Sequence, residues 1–268
     1  MPALLPIFSQ CKCARGEGKK RNVSVVILAA GKGTRMKSDM AKVLHSICGR
    51  PMLAYTVDTA RAVGAEKIVV VVGHQSDAVR EAFAGEGLTF VEQRWQLGTA
   101  HAILQTREQL PGRGGTIIIL CGDVPLLRAS TVRALFDLHV SEKATVTVLT
   151  TIPEDPFGYG RIVKGEGGEV LRIVEEKDAT AEEKKIREIN TGIYCVESGF
   201  LYGAVAEIGN DNAQGEYYLT DIIGIAGRKG ARIRSFIAAD PVETMGINTP
   251  DDLERASIYK KSEPAVRD

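Results

Sequence analysis

The sequence predicts an α/β fold: a Rossmann-like, mostly parallel central sheet with helices on both faces, followed by a smaller β-rich elaboration. Apolar, β-branched runs at 23–29, 67–72, 88–92, 116–121 and 144–150 alternate with helix-period stretches at about 51–63, 76–85, 98–109 and 130–140. Strands buried on both faces by crossover helices give that alternation. After residue 150 the texture changes to shorter strand-like pieces at 160–164, 169–175 and 189–196, separated by glycine-rich or charged turns. Two further helices, about 218–228 and 250–260, flank a strand near 231–238. There is no internal repeat, and in particular no hexapeptide period of a left-handed β-helix.

Length and composition bound the function. The 268 residues, 44% of them hydrophobic, suffice for one large or two modest domains. Lys+Arg and Asp+Glu both number 34, so no global positive field gathers nucleic acid and no polybasic block holds a membrane surface. An anionic ligand has to be captured locally. The five cysteines, at 11, 13, 48, 121 and 195, show no paired metal-ligand spacing and read as reduced thiols of a cytoplasmic protein. Residues 1–21 carry their basic residues after the apolar ones, the wrong order for a secretion signal, and are expected to be a poorly ordered extension. Residues 22–259 are expected to hold the fold, divided at 150/151, and 260–268 to be a charged, frayed tail. No run approaches the ~20 apolar residues of a membrane span.

The most informative stretch is Val25-Val26-Ile27-Leu28-Ala29-Ala30-Gly31-Lys32-Gly33-Thr34-Arg35-Met36, with Lys42 beyond it. A buried strand breaks into a small-residue loop whose bare backbone can lie against a phosphate or a flat base. It is not a Walker loop, which needs Gly at position 26, nor a dinucleotide fingerprint, which needs a third Gly where Met36 stands. Lys32, Arg35, Lys37 and Lys42 set four cations beside the turn. A second strand end, Ile117-Ile118-Ile119-Leu120-Cys121-Gly122-Asp123, puts a carboxylate at the edge where open parallel sheets bind ligands. There Asp123 can hold Mg²⁺ against phosphate oxygens or cap a turn ahead of Pro125. The amide of Gln93 has one donor and one acceptor face, enough to pair with the N3–H and O4 edge of uracil. His45, His74, His101 and His139 show no metal spacing and read as structural; no Ser/His/Asp or Cys/His nucleophile is present.

The pattern Leu-x-x-Gly-x-Gly-Thr-Arg-Met followed by Lys42 resembles the signature of the sugar-1-phosphate nucleotidylyltransferases, and most of all the uridylyltransferase domain of the bacterial UDP-N-acetylglucosamine pyrophosphorylases. The likeness covers roughly residues 23–258 and implies the nucleotide-diphospho-sugar transferase fold. It fixes Arg35 and Lys42 as phosphate-binding catalytic cations, and makes Asp123 the metal aspartate with Asn248 as companion ligand. Asn248 also reads as the N-cap of the helix beginning near Pro250. Gln93, Gly98 and Thr99 fall on uridine-contact positions, with backbone of Leu28, Ala29, Ala30 and Gly31, and with Gly122 beside them. The acetylglucosamine-contact segments have counterparts at 157–161, 173–178, 188–192 and 212–221, which gives Gly160, Glu175, Asn190, Tyr218 and Thr220 as sugar-binding residues. Cys121 stands where Tyr is frequent in relatives, one residue is added in the Gly165–Gly168 turn, and the acetyltransferase domain of these relatives has no counterpart in the chain.

The resemblance implies UTP and N-acetylglucosamine 1-phosphate as substrates, Mg²⁺ as cofactor, no nucleic-acid or membrane partner, and a monomer, since relatives assemble largely through the domain without a counterpart. It also implies that the acetylation step falls to another protein. Two alternatives stay open. One is a uridylyltransferase for another sugar phosphate such as glucose 1-phosphate; the other is a non-catalytic nucleotide-sugar sensor.

Overall fold

The computed structural model describes residues 22–262 other than 111 and 113. The expected extension at 1–21 and the end of the tail, 263–268, lie outside the described residues. In chain order the elements are β1 (Val23–Ala29), a hairpin of β2 (Ser46–Ile47) and β3 (Arg50–Pro51), α1 (Met52–Ala62), β4 (Lys67–Val72), α2 (Ser76–Ala82), β5 (Thr89–Glu92), α3 (Thr99–Leu104), β6 (Thr116–Cys121), α4 (Ala129–Ser141) and β7 (Val146–Thr151). There follow β8 (Arg161–Lys164), β9 (Val170–Val174), β10 (Ile189–Glu197), α5 (Ser198–Val205), α6 (Asp221–Arg228), β11 (Ile233–Ile237) and α7 (Pro250–Ser262).

Nine strands form one sheet, in the order β11-β7-β10-β6-β1-β4-β5, with β8 paired to β10 and to β9. β1 lies parallel between β4 and β6, with Val26 opposite both Val69 and Ile119. β10 enters antiparallel between β6 and β7, so residues from both sides of position 150 share the sheet. Because successive side chains of a strand point to opposite faces, Val26, Val69 and Ile119 pack with α3, α5 and α6. Val25, Val70, Ile118 and Leu120 pack with α1 and α4 on the other face. A third, small cluster of Ile47, Met52, Leu126, Ile247 and Ala256 pins α7 against the hairpin and the segment after β6. That cluster fixes where Asn248 can reach.

Element positions agree with the sequence reading, and the differences have local causes. The helix expected over 98–109 ends at Leu104, because the Thr106 hydroxyl donates to Ile103 O at 2.7 Å and competes for a helical carbonyl. The helix expected from 218 starts at Asp221. α5 is absent from the sequence reading: its sequence SGFLYGAV has no polar face to give a period, and it forms because it is buried against α3 and α6. The hairpin of β2 and β3 is likewise an addition; Cys48 and Gly49, with φ of 50° and 82°, make the left-handed turn that two-residue hairpins prefer. Lys260 to Ser262, expected as the start of a frayed tail, continue α7.

One buried group couples this fold to pH. His139 on α4 is 4% exposed, its Nδ1 lies 3.0 Å from the Thr147 hydroxyl, and burial pushes its imidazole from 6.5 down to about 4. The unfolded chain therefore takes up a proton below pH 6.5 that the folded chain refuses until about pH 4. Stability is undiminished above that window and falls as pH drops through it, by on the order of 3 kcal/mol. Urea midpoints measured from pH 7 to pH 4.5 should decline less steeply in His139→Gln than in the native chain; parallel declines would contradict the assignment.

Candidate active site

Three loops distant in sequence meet at the carboxyl ends of β1 and β6. Beyond β1 the chain turns through Ala30–Gly33 into a 3-10 turn, Thr34–Met36. Gly33 has φ 63°, and a Cβ there would lie 2.7 Å from Lys42 Cβ, so glycine is what lets this loop close on Lys42. Gly122 N donates to Leu28 O at 2.9 Å, and Ile247 N donates to Asp123 O at 2.8 Å. Backbone hydrogen bonds thus stitch the loop after β6 to β1 on one side and to the approach to α7 on the other.

At this junction the Lys42 ammonium donates to Asp123 Oδ2 at 2.5 Å and to Asn248 Oδ1 at 2.7 Å. Arg35 donates to the same Asn248 oxygen at 2.8 Å. Two cations share the Asn248 oxygen and one carboxylate, that of Asp123, stands with them, which leaves a net positive cluster at the sheet edge. Asn248 is not the cap of α7. Thr249 Oγ1 accepts from Asp252 N at 3.1 Å, and Asp252 Oδ2 accepts from the backbone of Asn248 and Thr249, both at 3.0 Å. That reciprocal capping, with Pro250 at the first helical position, leaves the Asn248 side chain free to face Lys42 and Arg35.

Beside the loop, Leu28, Ala30, Gly31, Gln93, Gly98 and Thr99 line a cavity of about 340 Å³, joined by Lys32, Gln96, Ala102 and Glu216. Ala29 does not line it; its side chain belongs to the opposite face of the sheet, with Val25 and Ile27. Gly122 stands behind β1, against Leu28 and Val43. Gln93 is 3% exposed, and its Nε2 donates to Gly98 O at 3.0 Å while lying 3.1 Å from His101 Nδ1. Its amide hydrogens are therefore engaged within the protein, and the amide offers a ligand an acceptor rather than both faces. Gly98, φ 111°, lets the chain pass so close to Tyr217 that a Cβ would lie 2.6 Å from Tyr217 O. The same contact carries Tyr217 N to Leu97 O at 2.8 Å, Ala100 N to Tyr217 O at 2.9 Å, and Leu219 N to Thr99 Oγ1 at 2.9 Å.

Beyond that staple, Glu175, Tyr218 and Thr220 line a larger cavity of about 460 Å³ with Asp178, Asp221 and Arg228. Burial, then the charges of Asp178, Asp221 and Glu216, push the Glu175 carboxyl up. Asp221 is also raised, chiefly by burial. Thr220 Oγ1 is buried without a partner in hydrogen-bond geometry, although its hydroxyl lies near Glu175. Gly160 and Asn190 sit behind this cavity. A Cβ on Gly160 would lie 3.3 Å from the Glu175 carboxylate, Gly160 O accepts from Asn190 N at 2.8 Å, and Asn190 Oδ1 accepts from Tyr194 OH at 2.9 Å.

Sequence reasoning missed several participants. Arg161, 2% exposed, pairs with Glu176 at 2.7 Å and also donates to Tyr159 O, which fixes the turn carrying Gly160. The Tyr159 hydroxyl is raised by burial while the Gly246 N–H pulls it down, and it feels Asp252, Asp123 and Arg35. It therefore links the Gly160 turn to the Lys42 cluster. Aromatic residues between glycines, as in Gly158-Tyr159-Gly160, were the available signal. Burial pushes the Cys121 thiol up, and Cys121 Sγ faces Gly192 O at 3.5 Å, so it serves as a packed, unreactive group. Cys48, Cys121 and Cys195 are free thiols. Among the described residues no three His, Cys, Asp or Glu side chains converge as a metal cage, and no helix is long and apolar enough to cross a membrane.

A mostly parallel sheet with a glycine loop, a cationic cluster and an aspartate at one strand edge defines a nucleotidyltransferase fold. Residues 25–182 match the family model described as the MobA-like NTP transferase domain. The chain belongs to that family. Its relatives include the bifunctional protein GlmU of Geobacter metallireducens, 54% identical over 241 residues that cover 90% of this chain and 51% of that protein. GlmU of Brevibacillus brevis is 52% identical, covering 89% of this chain and 52% of the relative; GlmU of Desulfotalea psychrophila is 47% identical, covering 89% and 70%. The chain thus spans about half the length of most relatives it matches. A structure from Bacillus anthracis, described as a glucose-1-phosphate thymidylyltransferase with sucrose, superimposes with a TM-score of 0.71 at 18% identity, over 91% of this chain and 98% of that one. It shares the fold.

The two loop glycines make opposite predictions. Gly98→Ala forces a strained φ and a clash with Tyr217 backbone and should lower unfolding free energy by about 1–3 kcal/mol. Gly31→Ala meets no atom within 4 Å and should change it by no more than about 0.5 kcal/mol. Urea unfolding of both variants decides; equal losses would mean that the Gly98–Tyr217 approach is not what requires glycine.

Proposed function

We propose that this chain transfers UMP from UTP to N-acetyl-α-D-glucosamine 1-phosphate, giving UDP-N-acetylglucosamine and pyrophosphate. The observation that carries this reading is the meeting of Arg35, Lys42, Asp123 and Asn248 beside a cavity walled by Gly31, Gln93, Gly98 and Thr99. On this reading the residues up to 150 hold the nucleotide, and those from 151 to 259 hold the sugar. The GlmU relatives at about half identity support it.

The chemistry follows from charge. A phosphate monoester has a second pKa of ~6, so the sugar phosphate attacks as a dianion at neutral pH and needs no general base. The obstacle is repulsion between two polyanions and charge gathering on the departing pyrophosphate. Lys42 and Arg35 answer it as fixed cations, and the walls of the two cavities hold the attacking oxygen and the α-phosphorus in line. Asp123 and Asn248 would hold Mg²⁺. Both present oxygens, the donors a hard cation takes, and both already converge on one positive atom, Lys42 Nζ. When bound, the ion neutralises phosphate oxygens. With those two oxygens given to the ion, the Lys42 ammonium would be available to the phosphates. On the sugar side, Glu175 accepts from hydroxyls, and Thr220 gains the hydrogen bond its buried hydroxyl lacks.

Pyrophosphate release from UTP and N-acetylglucosamine 1-phosphate should require Mg²⁺, stop with chelator, and exceed the rate with glucose 1-phosphate. Lys42→Ala and Asp123→Ala should each lose on the order of 10²–10³ in kcat while keeping the native circular dichroism. Near-normal turnover in either variant would refute the role of that residue, and no turnover in the native chain would refute the reaction.

A further inference from the structure

His101 is the third residue of α3, outside the residues assigned to the reaction. Its Nδ1 is 3.1 Å from Gln93 Nε2, and its Nε2 is 3.2 Å from Gln105 Nε2. The orientation of the Gln93 amide is not arbitrary. Its Nε2 also lies 3.0 Å from Gly98 O, and a carbonyl oxygen only accepts. With the amide turned over, two oxygens would face each other in a nearly dry site, since Gln93 is 3% exposed. One amide hydrogen therefore goes to Gly98 O and the other to His101 Nδ1, which has to be the nitrogen bearing a lone pair.

A neutral imidazole has one proton, which this places on Nε2. That N–H faces the Gln105 amide. Oxygen and nitrogen of an amide occupy nearly the same space, and Gln105 is half-buried at the end of α3. Its Nε2 also donates to His101 O at 3.1 Å, a bond lost when the oxygen turns toward the ring; half-buried Gln105 can replace that bond with water, whereas Gln93, 3% exposed, cannot. The order of constraint runs from Gly98 O to Gln93, from Gln93 to His101, and from His101 to Gln105.

We propose that His101 is the positioning residue that sets nucleobase specificity: by accepting from Gln93 it leaves Oε1 as the only polar atom that amide shows to the cavity. A base carrying N3–H, as uracil does, donates to that oxygen. Cytosine has a lone pair at N3, so two acceptors meet and neither is satisfied. The proposal deepens the uridylyltransferase reading and rests on it for one point, that this cavity takes the base.

Binding separates the two ideas without any turnover. Isothermal titration with UTP and with CTP, each with Mg²⁺, gives the ratio of their Kd values for the native chain, His101→Leu and His101→Asn. Asn carries an oxygen near the position of Nδ1 and restores the acceptor; Leu has none, and it suits the apolar neighbours Leu97, Leu104 and Ile208 around residue 101. The Leu variant should lose ~10-fold or more of the preference for UTP, the worth of one orienting hydrogen bond, and the Asn variant should keep it within ~3-fold. In turnover the Leu defect should appear in KM for UTP. If the Leu variant does not fold, His101→Phe carries the same test. A native preference for UTP that survives in the Leu or Phe variant overturns the proposal, as does its equal loss in the Asn variant. No UTP preference in the native chain overturns the base-pocket reading, and the proposal with it.

Discussion

The Lys42 ammonium is the point on which the candidate site depends. It takes one acceptor from the loop after β6 and one from the approach to α7, while its own segment is held against the loop after β1 by Gly33. None of these segments is a strand or an α-helix, and none would be positioned by sheet hydrogen bonds alone. The Lys42 side chain is 10% exposed and that of Asp123 28%, so water screens the pair incompletely and the attraction holds three loops in register. The same arrangement makes the junction reversible. An ammonium between two oxygens can be exchanged for other charges, whereas an apolar contact there would have to be broken.

Most of the architecture was legible because the sheet is written in one-dimensional patterns. β1, β4 and β6 are apolar runs rich in β-branched residues, and their parallel pairing follows from the helices between them. What could not be read was whatever depended on a tertiary partner. α5 has no amphipathic period and exists through its neighbours, and α3 is cut short by a threonine that bonds its own turn and Tyr202. At the site, residue types and strand-end positions brought out the cations beside Gly31 and Gly33 and the carboxylate of Asp123, because charge and glycine at a strand end have few structural uses; it was the resemblance that singled out Arg35, Lys42 and Gln93. Asn248 was ambiguous in sequence, since the helix cap and the companion ligand that the resemblance implies both fall at the start of a helix; the Thr249–Asp252 capping pair excludes the first of these. His101 is hidden for the opposite reason. A lone histidine in a helix has no spacing to give it away, and its meaning comes from an amide eight residues distant.

The segment from Glu216 to Thr220 joins the two cavities. Glu216 lines the smaller one, Tyr218 and Thr220 line the larger, and Tyr217 and Leu219 between them are hydrogen-bonded to Leu97, Thr99 and Ala100. One wall of five residues therefore has a face toward each cavity, with its alternate backbone groups tied to the start of α3. A wall so tied cannot shift toward one cavity without withdrawing from the other. For the proposed reaction, which consists of bringing two anions into line, this matters more than any single contact. Placement lost on either side is lost in the distance between the reacting atoms, where small errors cost most. The glycine at 98 belongs to this wall as much as to the turn before α3, since its missing side chain is what allows the two backbones to touch.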